Sequence, residues 1–293
     1  MKTALLSILF VFLPQVDLPS QINITDQGKT LQTVERQQFA IPYFDSPLLE
    51  RSKLGTLMNK IDQDIYEEPG DATLSADNKI IKELPGKKLN RKRFKVMFYE
   101  AFYRKGRITI QIPIQTIYPK VDSELLDQIR VKKIGDYKTY YKTGNEERSH
   151  NITLATEAIN NYVVFPGETF SFNKVVGKRT KEKGYLPAPV IVKGEIAEDV
   201  GGGICQVSST LYNAVDQAGM EIVQRYSHSK SVPYVPPGRD ATVSWYGPDF
   251  KFKNKYKKPI LIRAKAEQGK MSVIIRTSEA IEPDSREVPS VSK

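Results

Sequence analysis

Apolar positions along the chain fall into two textures that meet near Gly144. Upstream, short elements follow one another. LSADNKII (74–81) reads as a hairpin turning at Asp77-Asn78. LNRKRFKVMFYEAFYRKG (89–106) predicts a helix capped by Asn90 and ended by Gly106, with Phe94, Met97, Phe98, Ala101 and Phe102 as its apolar stripe. In RITIQIPIQTIYP (107–119), Ile108, Ile110, Ile112 and Ile114 alternate with polar residues and Pro113, predicting a half-buried strand at a sheet edge. Asp122 begins a short capped helix, and KKIGDYKTYYKT (132–143) reads as strand.

Downstream, Ile152, Ala155, Ile159 and Tyr162 recur at helical spacing, followed by a Pro166-Gly167 turn and a stretch rich in glycine, proline and aromatics. From Ile204, Val207, Leu211, Ala214, Val215 and Ala218 mark one face of a second helix, which Gly219 stops. Residues 259–276 predict a hairpin around Gln268-Gly269. The fold class expected is α+β: a small mixed N-terminal module over 53–143, then a mixed α+β domain over 144–277 with a cysteine at a helix N-terminus. Residues 21–52, polar and without period, read as a linker, and 278–293 as a disordered tail.

Residues 1–20 carry one lysine and then an apolar run from Ala4 to Leu13, the layout of a secretory signal, too short to span a bilayer comfortably. No clean small-x-small cleavage site follows, so an uncleaved anchor is the alternative, and the only membrane association expected is through this segment. Export to the cell wall or to the outer face of the cytoplasmic membrane is the expectation.

Composition adds a cationic bias: 44 Lys and Arg against 34 Asp and Glu, a net charge of +10. That balance suits anionic partners such as wall phosphate polymers, or serves solubility alone. No zinc spacing, helix-turn-helix or RNA-binding signature points to nucleic acid. The basic run Lys87, Lys88, Arg91, Lys92, Arg93 and Lys95 grips an anionic polymer or forms the solvated face of its helix, the second being favoured.

A single cysteine, Cys205, excludes an intramolecular disulfide framework. It follows three glycines in the first turn of the predicted helix, where free N–H groups and the helix dipole stabilise a thiolate. Gly202 and Gly203 permit close substrate approach and offer oxyanion donors, and Gln206, Ser208 and Ser209 are further substrate-binding candidates beside the thiol. The competing reading makes Cys205 a small buried hydrophobe behind a tight turn.

A cysteine nucleophile needs a base. Two histidines are available. His228 is favoured, because a strand over Glu221–Tyr226 packed back along the helix returns it to the helix start. His150, directly before the Ile152 helix, is a helix-start or surface group. Asp240 orients the imidazole or caps the turn after Pro237-Gly238, and Arg239 holds a substrate carboxylate or faces solvent. Metal ligation is poorly supported by one cysteine and two distant histidines, and no cofactor is expected.

Four stretches in order, RSHNITLATEAINNYVVFPGETFSFNKVVGKRT (148–180), GGGICQVSSTLYNA (201–214), HSKSVPYVPPGRDATVSW (228–245) and FKFKNKYKKPI (250–260), resemble the VanW family, over roughly Glu146 to Arg276. The upstream module is similar, more weakly, to the peptidoglycan-binding module that often precedes VanW domains. Some exported members of the family look like a separate class of L,D-transpeptidases, and the resemblance makes Cys205 their nucleophile. It implies peptidoglycan stem peptides as partners and 3–3 cross-links as product. A non-catalytic wall-binding accessory protein and a peptidase acting on the same stems are the alternatives.

Overall fold

The computed structural model describes residues 21–41, 48–192 and 195–290, without the side chains of 191–197, and the expected signal or anchor over 1–20 lies outside them. Two compact units divide the chain: Met1–Gly70 with Leu84–Pro119, and Asp71–Glu83 with Lys120–Lys293. Residues 71–83 and 120–143, expected in the upstream module, therefore belong to the second unit.

In the first unit, β1 (Gln21–Asp26) pairs antiparallel with β2 (Lys29–Glu35), where a linker was expected. Ile22 and Ile24 alternate with polar residues and are fully buried, a period too short to register in a polar sequence window. α1 (Arg51–Ile65) follows, burying Leu54, Leu57, Ile61 and Ile65. The chain then contributes β3 (Thr73–Leu74) and β4 (Ile80–Ile81), the hairpin turning at Asp77-Asn78, to the second unit. It returns with β5 (Gly86–Leu89) and α2 (Arg91–Tyr103), whose Asn90 cap accepts the Arg93 N–H at 3.0 Å.

The isoleucine alternation that follows is two strands, not one. β6 (Ile108–Gln111) lies parallel to β1 at the edge of its sheet, and β7 (Ile114–Ile117) pairs with β5. Pro113 has no N–H for a ladder, and its carbonyl accepts the Asn90 N–H at 2.8 Å, so the chain changes sheets there and Ile114 is exposed. Of the basic run, Lys87 on β5 pairs with Glu67 and Arg91 on α2 with Asp62, while Lys92 and Arg93 on α2 are exposed.

The second unit continues with α3 (Ser123–Ile129), capped by Asp122, and β8 (Lys132–Tyr140). α4 (Glu146–Ile159) starts earlier than the apolar period suggested, because Asn145 caps it. His150 therefore lies within the helix rather than before it. Next come β9 (Val163–Val164), β10 (Thr169–Ser171), α5 (Phe172–Val176) and the hairpin β11 (Pro187–Val192) with β12 (Glu195–Val200). α6 (Ile204–Gln217) carries the cysteine, and β13 (Glu221–Gln224), β14 (Lys251–Lys253), β15 (Ile260–Glu267) and β16 (Lys270–Thr277) complete the fold.

The main sheet, in order β8-β16-β15-β9, is antiparallel, and β10-β14-β13 forms a smaller one. The class is mixed α+β. α6 packs on β8 and β16. At the crossing, a Cβ on Gly135 would stand 2.2 Å from the Ala214 carbonyl oxygen, so β8 needs glycine there.

α6 is buried from Gln206 to Asp216, its serines and Tyr212 included, because the irregular segment 225–243 covers the face that the sequence reads as polar. Residues 278–290, expected to be a disordered tail, are docked. Ile281 is buried, Arg286 pairs with Asp216 at 2.6 Å, and the Pro289 carbonyl accepts the Tyr137 hydroxyl at 2.9 Å. Scattered single anchors without a period hold this segment, and such anchors leave no sequence pattern.

Candidate active site

Gly203, in the left-handed region at φ +103°, caps α6 and turns the chain so that Cys205 occupies the second helical position. The turn is held from below by Asn151, which is fully buried. Its Nδ2 donates to the carbonyls of Leu186 (2.8 Å) and Gly202 (3.1 Å), and its Oδ1 accepts the Leu186 N–H at 2.8 Å. Asn151 is thus an internal bracket. A Cβ on Gly202 would come 2.5 Å from the Ala188 carbonyl oxygen, so this glycine answers a backbone approach rather than a substrate.

Ile204 and Gln206 N–H groups donate to Gly201 O (3.3 Å) and Gly203 O (3.0 Å). The Cys205 N–H between them has no backbone acceptor among the described residues, as expected for a first-turn amide.

β13 reverses after Gly219 and leads into segment 225–243, which is strapped to α6. Two guanidinium groups lie over the Tyr212 ring, Arg225 at 4.9 Å and Arg239 at 4.6 Å from its centroid. Arg225 donates to the carbonyls of Asp240 (2.7 Å) and Gly238 (2.8 Å), and Arg239 to Asn213 Oδ1 and Asp216 Oδ2, both at 2.7 Å. Ser209 Oγ accepts the Ala241 N–H at 2.9 Å, and Ser208 Oγ donates to the Ala241 carbonyl.

These bonds bring His228 and Asp240 to the start of α6. Asp240 Oδ2 accepts both the backbone N–H and the Nδ1–H of His228, each at 2.6 Å, with side-chain exposures of 7% for the histidine and 8% for the aspartate. With Nδ1 held by Asp240, the imidazole is near enough to the Cys205 thiol for each to shift the other's pKa. Sγ also lies 3.5 Å from Val243 O and 3.8 Å from Thr242 Oγ1.

Burial pushes the Cys205 thiol pKa up, but the hydrogen bond from His228, backbone hydrogen bonding at Val243 and the imidazole charge outweigh it, and the thiol is held below its ordinary value. Burial acts downward on His228, and its bonds to Cys205 and Asp240 carry it above the usual imidazole value. Burial opposes ionisation of Asp240 as well, and the two bonds from His228 hold the carboxyl below the usual range. All three shifts favour thiolate, imidazolium and carboxylate. In that ionisation state a sulfur can act as a nucleophile and a ring as a proton donor.

Cys205 and His228 open onto a cavity of about 980 Å³. Gly203, Gln206 and Tyr234 line it, as do Lys142, Arg148, Lys178, Arg179 and a rim of Trp245 and Tyr246. Burial holds the Tyr234 hydroxyl well above the usual phenol range, with the nearby Cys205 charge acting the same way, so it remains a donor.

Of the residues singled out in sequence, the structure assembles Cys205, His228 and Asp240 and puts Gly203 and Gln206 on the cavity wall. Gln206 is engaged on every side: Oε1 accepts Arg148 Nη2 (2.7 Å), and Nε2 donates to Thr139 Oγ1 and Tyr140 O (3.0 Å each). Ser208, Ser209 and Arg239 hold segment 225–243 on the helix and do not line the cavity. His150 Nε2–H donates to Gly184 O at 2.9 Å, away from the cavity lining. Arg148, Arg179 and Tyr234 lay unread in RSHN, GKRT and VPYV, because nothing local tells a cavity cation from a surface one. Among the described residues, no group of three His, Cys, Asp or Glu could hold a metal ion.

The family model described as VanW like protein matches residues 147–276. The chain is 51% identical to the uncharacterized protein YoaR of Bacillus subtilis, over 96% of this chain and 93% of YoaR. It is 32% identical to the vancomycin B-type resistance protein VanW of Enterococcus faecalis, over 37% of this chain and 42% of that protein. No solved structure matches the chain.

Proposed function

The chain belongs to the VanW family, and on that premise we propose that it is an exported cell-wall enzyme, a cysteine-dependent L,D-transpeptidase forming 3–3 peptidoglycan cross-links. The observation that carries the reading is the junction of Cys205, His228 and Asp240 at a cavity able to take a stem peptide. The thiolate of Cys205 attacks the carbonyl carbon of the third stem residue. The developing oxyanion lies where the Cys205 N–H can meet it. Collapse breaks the bond to the terminal D-alanine, whose nitrogen takes the proton from His228, leaving a thioester and a neutral imidazole. The side-chain amine of a neighbouring stem then attacks the thioester, His228 takes its proton, and the thiolate leaves. Asp240 keeps the ring in one tautomer throughout. Water in place of the amine would make the same site a peptidase.

The test is to incubate wild type and Cys205→Ala with disaccharide-tetrapeptide and weigh the products. Wild type forms the dimer with loss of alanine and the variant does not. Equal dimer formation by both overturns the reading.

A non-catalytic wall-binding role is the second reading, for which Lys92 and Arg93, exposed on α2 with no ion pair among the described residues, are the candidate contacts to an anionic polymer. Sedimentation of the protein with walls before and after removal of anionic polymers tests it.

A further inference from the structure

Arg179 stands apart from the other arginines around the site. Arg239 and Arg286 pair with Asp216, Arg225 holds Asp240 and two further acceptors, and Arg148 holds Gln206. Both terminal nitrogens of Arg179 are buried with no hydrogen-bond acceptor among the described residues. Taking a guanidinium out of water without an acceptor is costly, and native proteins keep such groups where a ligand, an ion or a water completes them.

The placement is built. Arg179 lines the cysteine cavity, and its guanidinium lies over the Phe172 ring at 5.8 Å. Its stem passes against Gly201, where a Cβ would stand 3.1 Å from Arg179 Cβ and 3.2 Å from Cγ. The first glycine of the triplet therefore makes room for this side chain. Nearby carboxylates are committed elsewhere: Asp249 to Ser171 Oγ (2.7 Å) and Asn173 N–H (2.9 Å), Asp240 to His228. Asp199, the acidic residue on the cavity wall, is exposed and accepts the Val200 N–H at 2.7 Å. Lys142, Arg148 and Lys178 add positive charge on the same wall.

We infer that Arg179 binds a carboxylate of the acyl donor, so that the cavity selects substrates carrying a free carboxylate close to the bond that Cys205 attacks. A guanidinium meets a carboxylate with two parallel hydrogen bonds, which fixes orientation as well as charge. The inference rests on the transpeptidase reading for the identity of the donor. Two carboxylates of a stem meet the description, the terminal one on the leaving residue and the one on the diamino acid side chain.

The test separates the inference from the activity. Iodoacetate and iodoacetamide each alkylate the thiolate with loss of iodide, but only the first is an anion. In wild type, the ratio of the iodoacetate to the iodoacetamide rate is high. Arg179→Gln lowers the ratio about tenfold, the equivalent of one charge-assisted contact, and Arg179→Lys recovers part of it. The iodoacetamide rate reports whether the fold and the thiolate survive the substitution. An unchanged ratio in Arg179→Gln overturns the inference whether or not any stem peptide reacts. With stems that do acylate Cys205, amidating one or the other carboxylate identifies the group bound: that amidation slows wild type and leaves Arg179→Gln unaffected. If neither amidation distinguishes the two proteins, the inference fails while the transpeptidase reading stands.

Discussion

Asp240 Oδ2 receives two hydrogen bonds from one residue, the backbone N–H and the Nδ1–H of His228, each at 2.6 Å. One carboxylate oxygen thus fixes the backbone, the ring orientation and the tautomer of the histidine together. Asp240→Asn offers an amide where a carboxylate is required, and the rate of acylation of Cys205, followed by intact mass, falls on the order of 100-fold. The substitution also flattens acid stability. Because the folded-state pKa of Asp240 is lowered, its contribution is full above about 3.9, the unfolded value, and is lost as pH falls through the folded value. A melting temperature that declines on acidification identically in variant and wild type would contradict this linkage.

Reactivity toward iodoacetamide follows the thiolate. With the Cys205 pKa lowered, alkylation at pH 6 is faster than that of an ordinary thiol near 8.5, which is only about 0.3% ionised there. Peptide turnover has a second, upper limb, because the proton for the leaving amine is lost as pH rises through the raised pKa of His228. His228→Ala moves the alkylation limb back up toward 8.5. Cysteine that reacts only in denaturant would refute both statements.

Arg239→Ala releases Asn213 Oδ1, leaves Asp216 to Arg286 alone and removes one of the two guanidinium groups over Tyr212. The expected loss is about 1–3 kcal/mol of stability, with a fall in kcat as His228 and Asp240 lose their support. KM changes little, since Arg239 does not line the cavity. A rise in KM with kcat intact would restore the substrate-binding role suggested by its place in the GRDATV stretch.

Gly135→Ala drives a methyl group onto the Ala214 carbonyl, with Ala218 Cβ at 3.0 Å on the other side. Neither is a flexible chain end, so β8 and α6 must separate. A destabilisation of roughly 2–4 kcal/mol is expected from thermal or denaturant unfolding. Gly144→Ala, which meets nothing within 4 Å, is the matched control.

Periodicity and cap chemistry determined the elements that are local. The Asn90 and Asp122 caps, the hairpin at Gln268-Gly269 and the apolar face of α6 are all legible, because each depends on residues within a few positions of one another. The short alternation of Ile22 and Ile24 was not, since a few residues in polar surroundings carry too little signal, nor was the docking of 278–290, which depends on single long-range anchors. For the site, the sequence by itself determined that a thiol sits in the first turn of a helix behind glycines. Tertiary structure decided which residues share the site. Segment 225–243 lacks regular structure, so its straps to Ser208, Ser209, Tyr212, Asn213 and Asp216 are what put His228 and Asp240 beside Cys205. The same packing turned Ser208, Ser209 and Arg239 into supports and left Arg179 in the cavity without an acceptor. Side-chain type fixes what a group can do, and burial, set by distant parts of the chain, fixes what it has to meet.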